Sequence, residues 1–368
     1  MSARLHYIDR CRALLMLLGI PYHAARLFSP GWGPPQAATS AFCDTVAQTI
    51  TAFRMPAFFL IAGYFAAMLL ARTARWEWLQ SRLKRLGIPL LSATIVLIPL
   101  QLLVFAAVPG GDMGDVLARL AGRLSEPSSS WISHLWFLDD LIIYSVLIAV
   151  AWPIVARLRS TGLPLVVERA PFASVFILVG LVAVPLSVTA PLLGTTFLGA
   201  MANRLMYNGL FFLIGTGLFL KPAILDAWLK WRWWRAAVVV AIIALTVPLT
   251  MGGAHYRPAM VAGACAAIGG AWLVLAAMKR WGDAPSAPVK LVVDASLTIY
   301  LVHHPIILAL GLVTASISLP VELEWLAVGV TAALLSFAIY LAIRQVPLLY
   351  YCFNGQRLAV RRPVLAAA

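Results

Sequence analysis

An arginine and a histidine lie eleven residues apart in one apolar stretch, RLHYIDRCRALLMLLGIPYHAARLF, residues 4–28. At about 100° per residue, Arg12 and His23 project from one helix face, roughly 16 Å apart along the axis, and Asp9 shares that face. An ionisable side chain in a membrane-length apolar run is costly unless it is paired or faces a cavity, so each is a candidate for function. An imidazole suits general-base or nucleophilic chemistry near neutral pH. Pro21 removes the hydrogen bond to the carbonyl of Leu17, and a bend is expected just before His23.

Further candidates lie along the chain. Arg54 sits among apolar neighbours, about two turns inside a second run. It either forms a structural ion pair with Asp139 or Asp140, or orients an anionic group and steadies a developing oxyanion. His134, Trp136, Asp139 and Asp140 open a later run; tryptophan beside carboxylates can grip a sugar, and it can equally anchor a helix at the membrane interface. Asn203, Arg204 and Asn208 start another run from the same side. His303 and His304 lie thirteen and fourteen residues beyond Lys290, at a depth like that of His23. One of them could simply hydrogen-bond the backbone near Pro305. Arg82 and Arg85, at i and i+3 where a helix begins, have the makings of a phosphate site with Arg12, although an arginine near the inner face also snorkels to lipid head groups.

Four stretches carry a resemblance. The Arg12-to-His23 spacing, FRMPAFFLIAGY (53–64), HLWFL (134–138) and SLTIYLVHHP (296–305) occur in the order found in the acyltransferase 3 family of membrane acyltransferases. HLWFL resembles the branch that succinylates periplasmic glucans. The resemblance implies acyl-CoA, as succinyl-CoA or acetyl-CoA, for the donor and a glycan hydroxyl for the acceptor. Arg12, Arg82, Arg85 and Asp9 are then expected at the donor, and His23 and Arg54 at the reacting thioester. His134, Trp136, Asp139, Asp140 and His303 are expected at the acceptor.

Composition supports the setting. Of 368 residues, 62% are hydrophobic and 11% charged, which places the chain with membrane proteins. Apolar runs at 14–28, 46–70, 86–108, 135–154, 172–189, 205–220, 236–250, 260–278, 291–310 and 325–343 imply an all-α polytopic protein. They make about ten transmembrane helices in a single domain. The shortest, 236–250, is flanked by Trp228, Trp231, Trp233 and Trp234, which would extend it into the interface. The loop 109–133 is expected to hold a short amphipathic helix.

Basic residues crowd one set of helix ends, among them Arg10, Arg82, Arg85, Arg159, Lys221, Lys279 and Arg344. The positive-inside bias makes that side, with both termini, cytoplasmic, in a bacterial inner membrane. The net charge of +14 is thus an orientation signal toward membrane lipid. It does not mark a nucleic-acid partner, since no soluble domain carries a basic patch. Cys11, Cys43, Cys265 and Cys352 are scattered without metal-ligand spacing, and no metal is expected. Oligomeric state leaves no sequence signal here. The rival class is a transporter or flippase for a polar solute, with His23, Arg54 and Asp140 as a proton relay. It would be expected to carry an internal repeat, and none is visible.

Overall fold

In hydrocarbon every backbone polar group must be satisfied within the protein, and apolar runs of this length do so as helices. The computed structural model describes residues 6–30, 38–107, 112–125, 132–194, 196–251, 256–314 and 319–357. Among them there is no strand. The first half holds α1 (His6–Leu17), α2 (Gly19–Arg26), α3 (Ala41–Leu70), α4 (Arg75–Ala107), α5 (Met113–Ser125) and α6 (Trp136–Val155). The second holds α7 (Pro171–Thr189), α8 (Phe197–Leu220), α9 (Trp233–Met251), α10 (Tyr256–Trp281), α11 (Ala287–Thr314), α12 (Val321–Ile343) and α13 (Pro347–Asn354).

Nine helices among the described residues, α3, α4 and α6 to α12, are long and apolar enough to cross a membrane. The remaining expected crossing is α1 and α2 together, 12 and 8 residues meeting at Leu18. The break lies five residues before His23, further back than expected. The reason is local: Pro21 has no N–H for the carbonyl of Leu17, and α1 ends at Leu17. Trp325 Nε1 donates to the Pro21 carbonyl at 3.1 Å, which ties the kink to α12.

The interior is built on α3, α10 and α11, whose most apolar windows are 61%, 56% and 50% buried, against 22–28% in the other crossings. Small residues permit the close approach. A Cβ on Gly63 would lie 1.9 Å from the Phe212 carbonyl oxygen, and one on Gly215 would lie 1.8 Å from that of Leu60, so α3 and α8 meet backbone to backbone. Outward-facing side chains such as Leu91, Ile95, Ile154, Ile177 and Leu334 form an exposed apolar surface suited to lipid.

Polar contacts gather at the two ends. At one, Arg10 Nη2 donates to the Ala284 carbonyl (2.9 Å), Lys279 pairs with Asp226 (2.6 Å), and Lys221 donates to the Arg159 and Thr161 carbonyls. At the other, Arg26 lies 3.6 Å from Asp44, and Ser40 donates to Glu322 (2.6 Å). Here α5, the amphipathic helix expected between 109 and 133, lies against the end of α4, with Arg119 Nε on the Ala106 carbonyl (2.8 Å). The four tryptophans beside the short run divide. Trp233 and Trp234 are exposed and lengthen α9, whereas Trp228 is fully buried and Trp231 stacks on Trp272 with centroids 5.6 Å apart.

Candidate active site

A cavity of about 800 Å³ opens among α2, α3, α6 and α8 to α11. Its wall includes His23, Arg54, His134, Trp136, Asn208, Tyr300 and His304, with Gln48, Thr51, Thr246 and Thr250 adding amide and hydroxyl groups. Arg54 and His23, neighbours on different helices, are both half-buried there. The Arg54 guanidinium lies over the Tyr22 ring, 4.7 Å from its centroid, and its Nε is buried without a hydrogen-bond partner. No described carboxylate pairs with it. The ion pair expected between Arg54 and Asp139 or Asp140 is replaced by another. Asp140, fully buried, takes a bidentate contact from Arg204 (Nε 3.0 and 3.1 Å, Nη2 2.8 Å), and Asp139 lies 3.8 Å from the same guanidinium. Arg204 also covers the Trp136 ring at 5.1 Å.

Four imidazoles pack together. His23 lies 4.5 Å from His304 and 5.2 Å from His303, centroid to centroid, and His134 stacks on His304 at 4.8 Å. Pro305 cannot donate to the carbonyl four residues back, that of Leu301, and His134 Nε2 donates to it at 3.0 Å. Two histidines therefore serve the backbone near Pro305: His134, on the carbonyl that the proline vacates, and His303, on carbonyls of its own helix. His303 Nδ1 donates to the Tyr300 carbonyl at 2.7 Å. His304 Nδ1 donates to Gln101 Oε1 at 2.7 Å, and Gln101 Nε2 donates in turn to Ser133 Oγ. Ser133 has φ 42°, a left-handed conformation that a non-glycine residue adopts rarely. Among the described residues no cluster of three or more His, Cys, Asp or Glu has the arrangement of a metal site.

The expected residues thus fall into three places. His23, Arg54, His134 and Trp136 meet on the cavity wall. His303 sits behind it, between His23 and His134, while Asp139 and Asp140 turn toward Arg204 and do not line it. Their carboxylates follow the nearest cation, which is on α8 and not α3. At the basic end, Arg12 lies 5.5 Å from the Phe65 ring, and Arg82 is within electrostatic reach of both Arg12 and Arg85. Asp9, expected at the donor, lies 3.7 Å from Arg12. The Gln356 side-chain amide lies 2.8 Å from the Arg85 guanidinium and accepts from it with its oxygen turned that way. Gly355, with φ +68°, fits against Arg85 only because it lacks a Cβ, which would lie 2.2 Å from the Arg85 carbonyl oxygen.

Sequence reasoning missed Gly19, Gln101, Tyr207 and Tyr300. A Cβ on Gly19 would come within 2.7 Å of Arg54 Nη1 and 3.2 Å of His303 Nε2. Gln101 carried one usable signal, a lone amide in an apolar run with a charge-free stretch on either side.

Residues 5–343 match the family model described as an acyltransferase domain, acyltransferase 3. The chain belongs to the acyltransferase 3 family. It is similar to glucans biosynthesis protein C of Salmonella typhi, at 30% identity over 96% of both chains. It is also similar to the protein of that name from Escherichia coli (strain SMS-3-5 / SECEC), at 29% identity over 98% of this chain and 97% of the relative. No solved structure matches it. Membership of the acyltransferase 3 family makes the protein a multi-pass membrane acyltransferase and decides between the enzyme and the transporter.

Proposed function

We propose that this acyltransferase moves an acyl group, succinyl or acetyl, from cytoplasmic acyl-CoA to a hydroxyl of a periplasmic or cell-envelope glycan. The observation that carries the reading is Arg54: a cation in the cavity wall, beside His23, with no described carboxylate paired to it. Such a group is suited to negative charge that arrives with the substrate or develops during the reaction.

The donor's phosphates are assigned to Arg12, Arg82 and Arg85 at the basic end, which positive-inside bias makes cytoplasmic, with both termini. That end would face the cytoplasm in a bacterial inner membrane. Arg12 on α1 and His23 on α2 lie on either side of the kink, separated along the crossing so that the pantetheine arm can run from the phosphates to the reacting imidazole. The acceptor enters the cavity from the opposite end, where Trp136, Asn208 and the threonine hydroxyls offer a ring and hydrogen bonds for a sugar. As the acceptor oxygen bonds to the acyl carbon, its proton moves to His23, and Arg54 steadies the oxyanion. The carbon–sulfur bond then breaks and the proton leaves with the thiol. With a succinyl donor, Arg54 could instead hold the distal carboxylate. The relatives' name, with its reference to glucans, supports a glucan acceptor.

The test uses purified protein in lipid nanodiscs with labelled succinyl-CoA or acetyl-CoA and a glucan oligosaccharide. Labelled glucan should form with the parent, and His23→Ala should abolish transfer while still binding the donor. A fully active His23→Ala protein would end the mechanism.

A further inference from the structure

His23 has no hydrogen bond from any described residue, and its Nδ1 is buried without a partner. A base of this kind ordinarily needs a third group to orient it and to stabilise the imidazolium that forms, a place commonly held by a carboxylate. The groups that face His23 are Tyr22, Arg54, His134, His303 and His304, none of them a carboxylate.

The three neighbouring imidazoles have one feature in common. Each uses one ring nitrogen to donate to an oxygen: His134 to Leu301, His303 to Tyr300 and His304 to Gln101. A neutral imidazole that donates from one nitrogen presents a lone pair on the other. Lone pairs are therefore present on His303 Nε2 and His304 Nε2, in the two rings packed directly on His23, and on His134 Nδ1, in the ring packed against those two. Two of these, His134 Nδ1 and His303 Nε2, are buried with no donor, as is the facing His23 Nδ1. A buried acceptor without a donor is costly, and two of the three rings, His303 and His304, pack directly on the proposed base.

We propose that His134, His303 and His304 are positioning residues that take the part of the missing carboxylate. Their fixed tautomers leave His303 Nε2 and His304 Nε2 as acceptors beside His23, with His134 bracing His304 from behind, and these accept from the N–H groups of His23 once it has taken the acceptor's proton and become cationic. Gln101 is the handle on this device. It is the only one of the three acceptors supplied by a side chain, it is completely buried, and Ser133 holds its amide in place. The inference rests on His23 being the reacting imidazole.

Two arms test it. Steady-state transfer from succinyl-CoA or acetyl-CoA is measured for Gln101→Leu, Gln101→Glu and Ser133→Ala. Gln101→Leu should lower kcat about 10- to 100-fold with donor KM unchanged, and the acid limb of its pH–rate profile should move. Gln101→Glu retains an acceptor oxygen and should recover most of kcat with a displaced limb. Ser133→Ala, which leaves the fold intact, should lower kcat by a smaller factor. Parent-like kcat in both Gln101→Leu and Ser133→Ala, or equal losses in Gln101→Leu and Gln101→Glu with no movement of the limb, would overturn the proposal. If Gln101→Leu does not fold, the other two variants decide.

The second arm needs no turnover. Nitrogen-15 spectra of histidine-labelled parent protein should show His303 and His304 protonated on Nδ1 and His134 on Nε2. The opposite tautomer at His303 or His304 overturns the proposal even in an active enzyme. The expected tautomers in a protein with no acyl transfer to any glucan would instead count against the proposed function.

Discussion

Gly19 and Arg54 abut across the kink of the first crossing: a Cβ at position 19 would stand 2.7 Å from Arg54 Nη1. The kink and the missing side chain together admit the guanidinium to the ring of Tyr22 and the edge of His303. Gly19→Ala should leave the fold intact, because the atom displaced is the end of a flexible side chain. It should lower kcat about 10- to 100-fold through misplacement of Arg54. Steady-state kinetics beside a thermal melt checks this; parent-like kcat would show that Arg54 has room to spare.

Asp140 and Arg204 make the opposite case, a buried pair whose expected role is structural. Asp140→Ala leaves Arg204 only its longer contact with Asp139 and should cost about 1–3 kcal/mol of stability. Donor binding at the far end should be unaffected in whatever folded protein remains. Denaturant unfolding in mild detergent, with acyl-CoA titration on the folded fraction, separates the two readouts. A stable but inactive variant would instead move Asp140 into the chemistry.

The arginines of the proposed donor site should not respond equally to lysine. Arg82 has a buried Nε with no hydrogen bond, whereas Arg85 is already engaged by Gln356. Lysine at position 82 cannot reproduce a forked pair of hydrogen bonds to phosphate, a deficit of about 1–3 kcal/mol, so Arg82→Lys should weaken acyl-CoA binding about ten- to a hundredfold. Arg85→Lys should cost less, and acceptor KM should hold in both. Isothermal titration with acyl-CoA measures it; unchanged affinity in Arg82→Lys places the phosphates elsewhere.

Sidedness has a direct test at two exposed glycines with open space around them, Gly122 on α5 and Gly162 in the loop before α7. In a background without native cysteines, Gly122→Cys should react with an impermeant thiol reagent applied to intact spheroplasts. Gly162→Cys should react only after permeabilisation. The reverse pattern would put the basic end outside and exclude cytoplasmic acyl-CoA.

The parts of this protein legible in the sequence are those that local physics determines. Each crossing is a run of apolar residues long enough to span hydrocarbon. Pro21 breaks the first helix through its own missing N–H. The small amphipathic α5 shows its pattern within 13 residues. His23 and Arg12 stand out because charges in such a run are rare, and the family motifs are contiguous. Partner choice is different. Asp140 was open to Arg54 or to any other cation at its depth, and it meets Arg204, 64 residues on. His134 answers a carbonyl 167 residues away because Pro305 vacates it, and Gln101 meets His304 across 203 residues. Helices that are apolar on every side carry no mark of which face meets lipid and which meets another helix. Only the packing of α3, α10 and α11 inside the others, with glycines where the backbones touch, decides that four histidines and one arginine share a single cavity region.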